Sequence, residues 1–190
     1  MSLPKLALAG GLLAVTALAL KPANMRKSSE AGTETPPRLP TSPEDVAAEA
    51  RALDHFVIEA AQTAREKAQG EELKEWVETL LADHRRSLAA LDSLILNEAY
   101  WMPVDDILPP YADWLDALRM VSLQDFDRTF LQRMADVHQG TRDIFTAYTT
   151  RHPRGALAEH LAAGAEARDA HLQKVDALKA LPDPVIDFSK

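Results

Sequence analysis

Apolar residues recur at helical spacing through most of this chain, and the clearest run lies between Ser122 and Thr150. There Leu131, Met134, Thr141, Phe145 and Tyr148 follow one another at steps built from three and four, so they form one stripe along a helix. His138 falls inside that stripe, although a leucine there would cost less to bury than an imidazole. Three more stripes have the same period. Val46, Ala50, Leu53, Val57, Ala60, Ala64 and Ala68 mark a first helix whose small residues allow close helix approach. Leu73, Val77, Leu80, Leu88, Leu91 and Ile95 mark a second, with His84 in the missing place. Leu157, Leu161, Gly164, Val175 and Leu178 mark the last, and His171 lies on it.

The helix ends carry their own signals. Ser42-Pro43-Glu44-Asp45 offers a serine cap, a proline for the first turn and acids against the helix dipole. Gly70 is read as the stop of the first helix, and Glu71 and Glu72 as the start of the second, which runs to about Asn97. Ser122 and Asp125 open the third in capping-box-like spacing, and Pro153 ends it. The fourth is expected from about Arg154 to Ala180, closed by Pro182. Between Glu98 and Val121 the texture changes to Tyr100-Trp101-Met102-Pro103 and Pro109-Pro110-Tyr111, with a short helical pattern from Ala112 to Met120. These aromatics are expected to cover one end of the core. Four helices joined by a tight, a long and a tight connection predict an all-α, four-helix bundle. Its long connection, containing the short helix, lets the second and third helices run parallel, as in ferritin-like bundles.

Composition agrees and narrows the function classes. A chain of 190 residues suits one domain, and 12 prolines kept mostly outside the periodic segments, with 7 glycines, favour helix over sheet. The formal charge of −8 and the lack of a basic cluster argue against a nucleic-acid partner. The absence of cysteine removes disulfides, thiolate metal sites and a cysteine nucleophile.

The N-terminal segment reads differently. Lys5, the apolar run Leu6 to Leu20 and the small-x-small ending Ala17-Leu18-Ala19 have the pattern of a secretory signal peptide. The basic flank Lys21, Arg26 and Lys27 also suits an uncleaved anchor, which would give membrane association through residues 6–20. Residues 1–20 are therefore a signal peptide or anchor, 21–41 a Pro- and Ser/Thr-rich disordered linker, 42–181 the bundle and 182–190 a short tail. The location implied is the periplasm or cell envelope, with an inner-membrane anchor as the alternative.

Several pieces, in this order and spacing, resemble a known family. They are Glu66-Lys67-Ala68, Ala82-Asp83-His84, Leu118 to Phe130 with Phe126-Asp127-Arg128, Met134 followed by His138, and Ala170-His171-Leu172. Together they resemble the bacterial ferritin-like family called domain of unknown function 4142, often labelled predicted outer-membrane protein. The resemblance spans about Glu44 to Leu178. It implies an exported, bundle-shaped envelope protein and implies no reaction. The first helix departs from the family in lacking its usual Phe and Gly punctuation.

His84, His138 and His171 come from three helices, each in the apolar phase. At 1.5 Å per residue His138 and His171 lie about 22 and 28 Å from the turn near His152, roughly one helical turn apart in height. Three inward imidazoles suit zinc, copper or iron, so His84, His138 and His171, with Asp83 more weakly, are candidate ligands for a divalent transition metal. The plainer reading makes each a buried histidine bonded to a neighbouring helix, with Asp127, Thr141 or Tyr148 as partners of His84 or His171. A di-iron centre needs Glu-x-x-His on two helices. Leu81, Ala135, Leu157 and Arg168 stand three residues before His84, His138, His160 and His171, so the motif is absent. Arg168 would repel a cation or neutralise a buried acid such as Asp83 or Asp127. Glu49, Glu59 and Glu66 read as solvated helix acids, with Glu49 near the buried face, while His55 and His152 read as exposed. His160 sits about 16 Å from His171, too far to share an ion. No Ser-x-His or Gly-rich phosphate cradle appears, which leaves hydrolysis and nucleotide binding unsupported and turns the expectation away from an enzyme. Trp76, Trp101, Trp114 and Tyr111 read as core and cap packing, with a small-molecule pocket as the alternative.

Three functional readings follow. The first is a non-catalytic envelope bundle for binding, storage or stress protection. The second is a periplasmic metal-binding bundle, and the third a membrane-surface interaction module.

Overall fold

The Ser42 hydroxyl accepts a hydrogen bond from the Asp45 N–H at 3.0 Å, and with Pro43 in the first turn this starts α1, Pro43–Lys67. The computed structural model describes residues 42–103 and 109–181, and the helices that follow are α2 Glu71–Glu98, α3 Pro109–Met120, α4 Leu123–Arg151 and α5 Ala156–Lys179. The protein is thus an all-α, four-helix bundle with the short α3 inserted in the long connection. The third and fourth helices expected from the pattern are α4 and α5.

Three boundaries differ from expectation for local reasons. Gly70 does not stop α1; its extended backbone (φ −72°, ψ 130°) makes it the N-cap of α2. Glycine has no capping side chain, and Asp127, near the start of α4, holds the turn before α2 instead. Its carboxylate accepts from Gln69 N–H at 3.0 Å and from Gly70 N–H at 2.8 Å. A Cβ on residue 70 would come within 3.3 Å of Asp127 Oδ2, so the close approach favours glycine. At the other end α5 begins at Ala156, two residues later than expected, because Gly155 takes φ 105° and breaks the helical path. α3 opens earlier than the apolar pattern, at Pro109 and Pro110, whose fixed φ suits a first turn.

Helix directions follow from what meets at each end. The turn after α1 bonds to the start of α4, while Val46 and Ala47 at the start of α1 pack with Phe145 and Tyr148 near the end of α4. α1 and α4 are therefore antiparallel. Because a three-residue turn also makes α1 and α2 antiparallel, α2 and α4 run parallel, as the long connection requires. α5 packs on α4 and α2.

Two apolar clusters fill the interior. One contains Phe56, Leu80, Phe126, Phe130, Met134 and Val175; the other contains Val46, Leu91, Ile95, Phe145 and Leu161. On each long helix the buried polar residues fall where one cluster gives way to the other: Asp54 on α1, His84 on α2, His138 and Thr141 on α4, Arg168 and His171 on α5. The bundle thus holds a polar layer between two apolar ends. α3 lays Tyr111 and Trp114 against Phe56 at ring separations of 5.5 and 6.0 Å, and Trp76 is buried against Phe130. These three rings pack as core and cap. Trp101 does not join them, being 76% exposed.

Among the described residues no helix is long and apolar enough to cross a membrane, which stands against the expected membrane association and the inner-membrane alternative. The segment proposed for it, residues 6–20, lies outside the described residues, as do the linker 21–41 and the tail 182–190. The membrane-surface reading is withdrawn.

Candidate metal centre

His84 sits at the middle of α2 with its neighbours Leu80 and Leu81 fully buried, so its ring can only point into the bundle. The same holds for His138, flanked by Met134 and Thr141, and for His171, flanked by Arg168 and Val175. The three residues are 2%, 1% and 5% exposed, and one ring nitrogen from each lies within 4.8 Å of the other two. His84 Nε2 is 3.3 Å from His138 Nε2, and His171 Nδ1 is 3.0 Å from the same atom.

The outward nitrogens decide where the protons are. His138 Nδ1 lies 2.7 Å from the Met134 carbonyl, which can only accept, so that nitrogen carries the hydrogen. His84 Nδ1 lies 2.7 Å from Asp54 Oδ1 and donates to it. With neutral rings, both Nε2 atoms are then bare lone pairs facing each other at 3.3 Å, a separation that no hydrogen bond explains. His171 Nε2 lies 3.3 Å from Asp83 Oδ2, and a proton there leaves His171 Nδ1 bare as well. Moving that proton to Nδ1 would turn a lone pair on the Asp83 carboxylate and still leave the His84–His138 contact without a hydrogen.

An added proton is the simplest relief, and burial opposes it. Desolvation lowers the His84 pKa despite the Asp54 carboxylate beside it. Desolvation and the two neighbouring rings push His138 well below the usual imidazole range. Desolvation and His84 take His171 to about 4. At neutral pH the layer therefore presents three uncharged imidazoles whose lone pairs converge.

Asp54 is the residue that sequence reasoning missed. It is 1% exposed and accepts from both His84 Nδ1 and Arg168 Nη2, each at 2.7 Å. Burial pushes its carboxyl upward, but the His84 hydrogen bond and the Arg168 guanidinium outweigh this, and its pKa is lowered. The signal was present, since Asp54 lies four residues after Ala50 and three before Val57, inside the apolar arc of α1. Arg168 neutralises a buried acid as expected, but the acid is Asp54, not Asp83 or Asp127. Its guanidinium also lies over the Phe145 ring, 5.1 Å from the centroid.

The remaining candidates are spread elsewhere. Asp83 is outside the convergent group; it meets the far nitrogen of His171 and pairs with Arg86 at 3.0 Å. Asp127 binds the turn before α2 and Thr141 donates to the Val137 carbonyl, so neither partners His84 or His171. Glu49 accepts from the Tyr111 hydroxyl, and burial raises its pKa against that bond. His55 is half-buried instead of exposed, His152 is exposed and stacks near Tyr148, and half-buried His160 lies outside the cluster.

Two solved structures share this architecture. CopM in the Cu(I)-bound form is 20% identical, with 73% of this chain and 95% of that chain covered at a TM-score of 0.62. A DUF305 fragment from Deinococcus radiodurans is 13% identical, with 76% of this chain and all of that chain covered at a TM-score of 0.65. At these identities the likeness concerns the fold. No curated protein matches the chain. The family model described as Domain of unknown function (DUF4142) matches residues 28–178, and the chain belongs to that family.

Proposed function

We propose that this protein is an exported metal-binding bundle that holds one transition-metal ion through His84 Nε2, His138 Nε2 and His171 Nδ1. The observation that carries the reading is the set of lone pairs facing one another at 3.0 and 3.3 Å, with each opposite nitrogen engaged by Asp54, Met134 or Asp83. Nitrogens that share an ion at 2.0–2.1 Å stand about 3.3 to 3.6 Å apart, so small ring movements would suffice. Carboxylate or carbonyl groups on the far nitrogens are the usual support of metal-bound histidines, since they fix the tautomer and raise ligand basicity. A relative in fold is known in a Cu(I)-bound form, which makes copper the first ion to try beside zinc. The metal-binding reading is thus better supported than the general storage or stress role.

Capture, instead of turnover, fits the burial, because rings 1 to 5% exposed leave little space for a substrate beside the ion. Export rests on Lys5, the Leu6 to Leu20 run and Ala17-Leu18-Ala19, and would locate capture in the cell envelope. The test is a titration of apo protein with Cu(I) or Zn(II), read by metal analysis after desalting. One ion per chain in the wild type, lost in His138→Ala and in His84→Ala, supports the proposal. No retained ion, or unchanged retention in both variants, overturns it.

A further inference from the structure

We infer that Arg168 sets the charge of the centre and makes it select a monovalent ion with a filled d shell, Cu(I) or Ag(I), over divalent ions such as Zn(II). The inference rests on the metal-binding reading above and adds the identity class of the ion. Its first support is the charge count around the triad. The three imidazoles contribute no negative charge. Asp54, the single fully buried acid among the described residues, is already cancelled by Arg168 at 2.7 Å. Asp83, on the outer nitrogen of His171, is paired with Arg86 at 3.0 Å. A carboxylate behind a histidine ordinarily helps a site hold a divalent cation, and here an arginine removes that help. An ion of charge +1 then leaves one uncompensated charge in the layer and an ion of +2 leaves two. Because the cost of burying charge rises with its square, the divalent ion meets roughly four times the penalty.

The second support is the number of donors. The convergent group supplies three ligand atoms, and the polar groups nearest along the helices are committed: Thr141 Oγ1 to the Val137 carbonyl and the Met134 carbonyl to His138. Zinc almost always takes four ligands, so it would have to bring water or an anion into a layer with little access to solvent. Cu(I) and Ag(I) accept three donors without strain. The third support is that the guanidinium is built into the core. Gly164 lacks the Cβ that would come within 2.8 Å of Phe145 Cε2 and 3.5 Å of Arg168 Nη1, so α5 leaves space for Arg168 to lie between Phe145 and Asp54.

The experiment measures Cu(I) and Zn(II) affinities of the full chain by competition with chromophoric chelators, anaerobically for Cu(I). Wild type is compared with Arg168→Met, Arg168→Lys and Asp54→Asn. The wild type is expected to bind Cu(I) more tightly than Zn(II). In Arg168→Met the freed carboxylate should lower the Cu(I)/Zn(II) affinity ratio at least tenfold, while Arg168→Lys keeps it within threefold. Asp54→Asn adds a net positive charge and should raise the ratio at least tenfold, which tests the same claim even if Arg168→Met does not fold. A wild type that prefers Zn(II), or ratios that ignore these charges, overturns the inference and leaves the metal site standing. A wild type that binds neither ion overturns both.

Discussion

Deleting the Asp54 carboxylate is expected to be among the most damaging single changes in this protein, and most of the effect should disappear when Arg168 is removed with it. Asp54 and Arg168 are 1% and 3% exposed, and Asp54 Oδ1 takes hydrogen bonds from Arg168 and His84, both at 2.7 Å. In Asp54→Leu the guanidinium would be left in the layer with only the Gly164 carbonyl, 3.5 Å from Nη1, and the Phe145 ring for company. Breaking one side of a buried ion pair costs about 3–5 kcal/mol. For a domain of this size 1 kcal/mol moves Tm by about 2–4 °C, so the loss should be on the order of 10 °C. In the double variant Asp54→Leu/Arg168→Met both desolvated charges are gone, and stability should return to within about 1–2 kcal/mol of wild type. Urea unfolding of the metal-free proteins, followed by circular dichroism, measures all four corners of the cycle. A single-variant loss under about 1 kcal/mol, or a double variant as unstable as the two singles combined, would refute the argument.

Three further outcomes are expected. Gly164→Val should destabilise by about 2 kcal/mol or more, because its Cβ would stand 2.8 Å from Phe145 Cε2 in a packed core. Gly140→Ala on the exposed face of α4, where a Cβ meets nothing within 4 Å, should instead gain about 0.5–1 kcal/mol; urea midpoints that reverse this order would contradict the packing described. For metal-free protein, acidification from pH 7 to 5 should lower the urea midpoint. The three triad histidines titrate below about 6.5 when folded, His171 at about 4, so in this window the unfolded chain binds more protons and stability falls as pH falls. A midpoint that stays level or rises toward pH 5 would count against the buried neutral triad.

The fold was largely legible because helical periodicity records burial directly, and the stripes holding His84, His138 and His171 are the buried faces of α2, α4 and α5. The inward direction of the three rings could be read from phase alone, whereas their meeting at one height depended on the stagger of the helices. That stagger is set by contacts such as Asp127 with the turn before α2, which couple residues 57 and 58 positions apart. Asp54 escaped notice because the apolar stripe of α1 can be drawn through Ala50, Leu53 and Val57 without it, and the partner that explains its burial, Arg168, stands 114 residues later. Gly70 misled for a related reason: a glycine between two helices signals a stop or a cap equally well, and only the backbone angle separates them.

The central claim is that three imidazoles from three helices share one ion. Anomalous diffraction at the metal edge, from crystals of the Cu(I)- or Zn(II)-loaded protein, tests it most directly. The account predicts one strong peak per chain about 2.0–2.1 Å from His84 Nε2, His138 Nε2 and His171 Nδ1. A loaded crystal whose metal lies on surface residues, with the three rings still facing one another and no peak between them, would contradict it.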